Sequence, residues 1–208
     1  MEKKTILTLF LLVFSISLFA QSFIHRFEVN ASFGAQQYRG DMGNDLFRYS
    51  SCMYGVGTLG VDFALNRSLG IKVTGMYGSY GYTPNTVEER IQAMNEILSS
   101  HMVTGVAALQ YKFANGYLLK EDARFAPSLS AGIGLNKTID FMKMGCVEEG
   151  TFVSFNGGAN LRFNFNARLH AFYELRMGYF ATDVVDKMLH GGGNDLYLQN
   201  AIGLGFNL

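Results

Sequence analysis

Hydrophobic and polar residues alternate along most of this chain, and the alternation is clearest in its last segment. The apolar members of that segment are Leu196, Leu198, Ile202, Leu204, Phe206 and Leu208. The residues between them include Gln199, Gly203, Gly205 and Asn207. A period of two places the two sets on opposite faces of a β-strand. The pattern therefore predicts a strand with one apolar face and one small or polar face.

Seven earlier segments alternate in the same way. Their approximate ranges are 27–37, 53–65, 69–81, 102–113, 125–136, 152–165 and 168–180. Alternating segments of roughly 10 residues, separated by turn residues, are typical of a transmembrane β-barrel, and bacterial single-chain barrels have even strand numbers. The predicted fold is all-β, an eight-stranded antiparallel up-and-down transmembrane β-barrel.

The predicted connections alternate between short and long. Those after the second and sixth strands have two or three residues, whereas those after the odd-numbered strands have roughly 13 to 20. The connection after the fourth strand, 114–124, is intermediate in length. Outer-membrane barrels have short periplasmic turns and long external loops, so the asymmetry predicts which end faces outward.

Aromatic residues indicate which face of the strands contacts lipid. Eight of them lie on the apolar face near the predicted periplasmic strand ends: Phe27, Phe63, Tyr111, Phe113, Phe125, Phe163, Phe165 and Phe206. Four more are placed to form an opposite belt: Phe33, Tyr77, Phe155 and Tyr179. Aromatic belts are typical of the membrane boundary. A soluble lipocalin-like barrel gives no physical reason for such a ring, so we expect the apolar face to contact outer-membrane lipid.

The polar face is then predicted to line the lumen. Its notable members are Glu28, Asp62, Lys72, Gln110, Lys112, Asn160, Arg162, His170, Glu174 and Arg176. Eight strands enclose a space that side chains fill, and buried charges require partners. The mixture of signs predicts a salt-bridged plug of structural importance. A conducting pore would need more strands or a gap in this network.

The N-terminal residues predict export. Lys3 and Lys4 precede an apolar run from Ile6 to Leu18, which is shorter than the roughly 20 residues of a membrane-spanning helix. We expect a signal peptide over 1–20, cleaved after Ala20, and a barrel over 21–208 in the outer membrane of a Gram-negative bacterium. An uncleaved anchor helix is the alternative.

Composition agrees with an exported barrel and excludes one class of partner. The chain has 208 residues, 49% of them hydrophobic, with 24 Gly and a formal net charge of zero. Zero net charge gives no electrostatic reason to expect nucleic-acid binding. Cys52 and Cys146 would persist as a disulfide in an exported protein, but two free thiols remain an equal alternative.

Several stretches resemble a known family. They are the YRGD of 38–41, the YKFANGY of 111–117, the LLKEDARFAP of 118–127 and the AGIG of 131–134. In these stretches the chain resembles the barrel domain of OmpA-like outer-membrane proteins, in the form common in Bacteroidota. The resemblance also implies the long periplasmic turn after the fourth strand. Relatives often carry a C-terminal peptidoglycan-binding domain, which is missing from this chain, so the resemblance does not extend to cell-wall tethering.

The sequence contains few groups suited to catalysis. It has no nucleotide-binding loop, nucleophile elbow or zinc-site spacing, so no cofactor and no metal are expected. His170 and Glu174 are the only histidine–acid pair on one strand face. Their separation of about 13 Å along the strand exceeds hydrogen-bond reach, and both are predicted to point into the lumen.

These observations predict a non-enzymatic, porin-like barrel with a structural or envelope-integrity role, present as a monomer. The alternative is a receptor, adhesion or binding module that contacts an extracellular partner through the loops 82–100 and 181–194. A second alternative is a lipid-modifying barrel enzyme. Acidic residues in or beside the last loop, Asp183, Asp186 and Asp195, are interpreted as solvated rather than cation-binding.

Overall fold

A computed structural model describes residues 26–39, 54–81, 99–142, 150–181 and 195–208. The predicted signal peptide, the two cysteines and nearly all of the two predicted binding loops lie outside the described residues. Predictions about these segments therefore stay predictions.

Eight strands form one closed barrel. They are β1 (Phe27–Arg39), β2 (Tyr54–Ala64), β3 (Leu69–Gly81), β4 (Ser99–Lys112), β5 (Phe125–Met142), β6 (Thr151–Asn164), β7 (Leu169–Phe180) and β8 (Leu196–Asn207). Each strand pairs antiparallel with the next, and β8 pairs with β1 to close the barrel. The predicted fold class is confirmed. Within the described ranges, the chain contains no helix of sufficient length and hydrophobicity to span a membrane.

The observed strand ends lie within three residues of the predicted ones, except at the end of β5. That strand continues to Met142, so the connection to β6 is shorter than expected. Asn136, the last residue of the predicted strand, is fully buried, accepts a hydrogen bond from Thr104 Oγ1 at 2.8 Å and donates one to Ser154 Oγ at 2.8 Å. A polar residue that the alternation placed at a strand end is thus part of the barrel interior.

Two of the short turns repeat one local motif. In the turn after β2, Asn66 Oδ1 accepts hydrogen bonds from the backbone amides of Ser68 and Leu69 at 2.8 and 2.7 Å. In the turn after β6, Asn166 Oδ1 accepts the same two bonds from Arg168 and Leu169. An asparagine side chain that accepts amides two and three residues later stabilises a tight reversal.

The turn of 113–124 is longer and has its own internal bonds. Asn115 Oδ1 accepts the amides of Tyr117 and Leu118, and Gly116 has a φ of 81°, which a side chain would disfavour. Arg67 and Glu121 link this turn to the one after β2 at 3.1 Å. We call this end of the barrel the short-turn end and the opposite one the long-loop end.

Burial along the strands is the inverse of that in a soluble protein. Outward side chains are large, apolar and exposed, as at Leu59 (71%) and Leu109 (61%). Inward positions are polar and buried, as at Asp62 and Thr104. An apolar exterior around a polar interior is the arrangement of membrane barrels. The observed faces therefore exclude the lipocalin-like alternative.

Candidate functional site

An ion-pair cluster crosses the middle of the lumen. Lys72 Nζ on β3 lies 2.5 Å from Glu174 Oε2 on β7, and Arg176 Nε donates to Glu174 Oε1 at 2.8 Å. All three side chains are almost fully buried. The Arg176 guanidinium also contacts Met76 Sδ at 2.8 Å. Glu174 is thus the shared counterion of two buried cations, and the cluster ties opposite walls of the barrel together.

A second cluster centres on Glu28, nearer the short-turn end. Arg162 Nη2 on β6 donates to Glu28 Oε2 at 2.6 Å. His170 Nε2 on β7 lies 3.0 Å from Glu28 Oε1, and its ring is 1% exposed. One carboxylate from the first strand therefore binds side chains from the sixth and seventh strands.

The remaining predicted lumenal residues also lie on the inward face but have weaker contacts. Asp62 Oδ1 accepts a hydrogen bond from Asn30 Nδ2 at 3.3 Å. Gln110 Nε2 donates to Ser128 Oγ at 3.1 Å, while its carbonyl oxygen has no partner. Within the described part of the chain, Lys112 has no carboxylate within 4 Å. The ion pairs therefore join only part of the predicted polar set.

The long-loop half of the lumen contains an apolar cluster beside buried polar side chains, and sequence reasoning missed this cluster. Its buried side chains are Tyr38, Val56, Met76, Met102, Val106, Phe180 and Tyr197. The Phe180 and Tyr197 rings lie 5.6 Å apart, and the Tyr197 hydroxyl donates to Asn156 Oδ1. The alternation along β3 could have identified this cluster, because Met76 lies on the same face of the strand as the inward residue Lys72.

The two internal spaces beside the ion-pair clusters are too small to form a channel. The space beside Lys72, Thr74 and Arg176 has a volume of about 10 Å³, and the space beside Glu28 and Phe172 has essentially none. A single water molecule needs roughly 10–15 Å³. Among the described residues, the two clusters therefore leave no room for a continuous passage where they cross the lumen.

The eight predicted belt aromatics are on the outer surface at the short-turn end. Their rings contact one another across neighbouring strands, with centroids 4.9 Å apart for Phe27–Phe63 and 5.1 Å for Phe125–Phe163. Phe113 follows the end of β4 and packs edge-on against Tyr111 at 5.2 Å. These contacts produce a band of rings at one level of the barrel.

The structure separates the two residues of the histidine–acid pair. His170 contacts Glu28, whereas Glu174 binds Lys72 and Arg176. Among the described residues, no group of three or more His, Cys, Asp or Glu side chains is arranged to hold a metal ion. Asp195, named above with the last loop, is fully buried at the start of β8. The interpretation of Asp195 as a solvated carboxylate is therefore wrong.

Comparison with solved structures supports the same architecture. Neisserial surface protein A aligns with a TM-score of 0.63 at 13% identity, covering 88% of this chain and 97% of that one. The fold is that of small outer-membrane β-barrels. The attachment invasion locus protein Ail of Yersinia pestis, solved with the heparin analogue sucrose octasulfate, aligns at 0.54 and 13% identity, covering 88% and 99%.

A third neighbour is the N-terminal β-barrel domain of Pseudomonas aeruginosa OprF, at a TM-score of 0.51 and 15% identity, covering 88% and 98%. These neighbours share the closed barrel architecture with this chain. No protein-family model matches the chain, and no curated protein matches its sequence.

Proposed function

We propose that this protein is an OmpA-like barrel of the Bacteroidota type that supports the integrity of the outer membrane without catalysing a reaction. The observation that carries the proposal is a lumen crossed at mid-height by buried ion pairs, with almost no space beside them, inside an apolar exterior. A lumen closed in this way removes the transport route, and the exterior is suited to permanent residence in lipid. A signal peptide cleaved after Ala20 would direct the protein to this membrane.

The position of His170 supports a non-enzymatic role. Its ring is almost fully buried against Glu28 inside the barrel, so a lipid in the surrounding membrane has no access to it. A general base must reach the proton that it removes. The other potential acid, Glu174, is neutralised by two cations.

Reconstitution in a planar bilayer tests whether the lumen is closed. We expect no steady ion conductance from the wild-type protein, because the space beside Lys72 and Arg176 has a volume of only about 10 Å³. Replacing Lys72, Glu174 and Arg176 together by serine removes most of the central cluster and should produce discrete conductance steps. The double variant Arg67→Ser, Glu121→Ser, which breaks an exposed ion pair, should show no conductance steps. Steady conductance by the wild type would contradict the closed lumen.

A deletion strain tests the envelope role. We expect loss of the protein to increase leakage of periplasmic enzymes and sensitivity to detergent, because the membrane loses a rigid barrel. Expression of a variant in which 82–98 is replaced by a short Gly-Ser linker should restore both properties. If that variant does not restore the envelope and the cells also lose binding to an extracellular partner, the loop-mediated receptor is favoured instead.

A further inference from the structure

A cavity of about 600 Å³ opens at the short-turn end of the barrel. Its floor includes Asp62 and Lys112, and its rim includes Arg26, Asp122 and Arg124. We call this cavity the vestibule. The volume is within the roughly 300–1,000 Å³ of small-molecule sites. Since the ion pairs close the lumen beyond it, the vestibule is blind-ended, which suits binding rather than passage.

Charge in the vestibule is incompletely paired. Two of its cations have carboxylate partners, in the pairs Arg67–Glu121 and Arg162–Glu28. Three other cations and two carboxylates line the same cavity: Arg26, Lys112, Arg124, Asp62 and Asp122. Among the described residues, none of these five forms an ion pair within 4 Å. The vestibule therefore presents cationic groups that have no direct counterion among the described residues.

Lys112 is the most constrained of these cations. It is the last residue of β4 and is only partly accessible, with its side chain directed to the inside of the barrel. Burial of an ammonium without a partner is costly, so such groups normally contact a counterion. Glu28 is already used, because it binds Arg162 and His170, and Asp62, the other carboxylate at the floor, forms no ion pair with Lys112 within 4 Å. The remaining place for a counterion is the open space of the vestibule.

We infer that the vestibule binds a small solute that carries a carboxylate or phosphate group, with Lys112 at the floor and Arg124 at the rim as its contacts. An ammonium binds such oxyanions as a point charge, and a guanidinium binds them through paired N–H donors. Asp62 and Asp122 oppose any purely anionic ligand. They favour a solute that also carries an amine or that is compact enough to avoid them.

The position of the opening makes a membrane lipid a poor occupant. The vestibule is bounded mainly by turn residues and inward residues, although Phe27 and Phe165 of the aromatic belt also line its edge. A soluble molecule at the turn end has direct access, while a lipid would have to leave the bilayer. The chemistry of the site therefore indicates a solute from the compartment that the short turns face.

Titration of the detergent-solubilised protein, followed by NMR of the backbone amides in 111–114, tests this inference. The probes are inorganic phosphate and citrate, added at constant ionic strength against chloride. We expect saturable shifts with at least one probe. Lys112→Met should weaken that binding about tenfold or more, since it removes a charge-assisted hydrogen bond. Asp62→Asn should strengthen binding several-fold, because it removes an opposing charge.

Lys120→Met is the matched control, since Lys120 is exposed in the same turn and does not line the vestibule. It should bind the probes like the wild type. If Lys112→Met does not fold, the rim variant Arg124→Gln serves instead and should also weaken binding. Response to phosphate alone would favour a solute that carries a phosphate group, and response to citrate alone would favour one that carries a carboxylate. The inference would be overturned if neither probe gives saturable shifts. It would also be overturned if Lys112→Met and Lys120→Met weaken binding of the probes equally.

Discussion

Replacing Glu174 by glutamine should lower the free energy of unfolding by about 3–5 kcal/mol, the usual cost of removing one member of a buried ion pair. The glutamine side chain has nearly the same shape, so the loss is electrostatic. Lys72 and Arg176 would remain buried without their shared carboxylate. Urea unfolding of the barrel refolded into lipid vesicles measures the change.

Glu121→Gln is the matched control for this experiment. Glu121 forms its ion pair with Arg67 where both side chains are nearly half exposed. Pairs of this kind contribute only about 0–1 kcal/mol. If Glu174→Gln and Glu121→Gln cost the same, the central cluster does not stabilise the barrel in the way that its burial indicates.

Gly132→Ala should also destabilise the barrel strongly, because the new methyl group has no space. A Cβ at Gly132 would overlap the backbone oxygen of Ala107 and the Cα of Ala108 on the neighbouring strand. Backbone atoms cannot move aside as a flexible side chain can, so β4 and β5 would have to separate. We expect the free energy of unfolding to fall by about 1–3 kcal/mol or more, as in overpacked protein interiors.

Gly157→Ala makes the same chemical change on the outer face of β6. No atom lies within 4 Å of a Cβ at this position. We expect the free energy of unfolding to stay the same or to rise by about 0.4–1 kcal/mol, since alanine restricts the unfolded chain. The free energy of unfolding of both variants is measured with urea in the same vesicles. A decrease for Gly132→Ala without a decrease for Gly157→Ala would support the close strand approach at Gly132. Equal effects would contradict it.

The faces of the strands were predictable because a period of two is a purely local property. Alternation alone placed Asp62 and Lys72 on one side and Val61 and Val73 on the other, and the register pairs them accordingly. Turn position was equally local, since Asn66 and Asn166 hold their reversals with their own side chains. These features require no knowledge of distant parts of the chain.

The partners within the lumen were not predictable in this way. Parity identifies the inward residues, but it does not give their height in the closed barrel or the strand that faces them. The sequence placed His170 and Glu174 on one face, yet His170 contacts Glu28 and Glu174 contacts Lys72. The apolar cluster was missed for a related reason, because an apolar residue at an inward position contradicts the rule of a polar lumen. Met76, Val106 and Phe180 are such residues.

The ion pairs also constrain the order of assembly in the membrane. Glu28 comes from the first strand and its partners Arg162 and His170 from the sixth and seventh, so its charge is neutralised only when the two ends of the sheet meet. A half-inserted sheet would expose Glu28 or Lys72 to hydrocarbon without a partner, at a large cost in free energy. Entry into the bilayer and closure of the barrel should therefore occur as one concerted event, with early, partly inserted intermediates poorly populated.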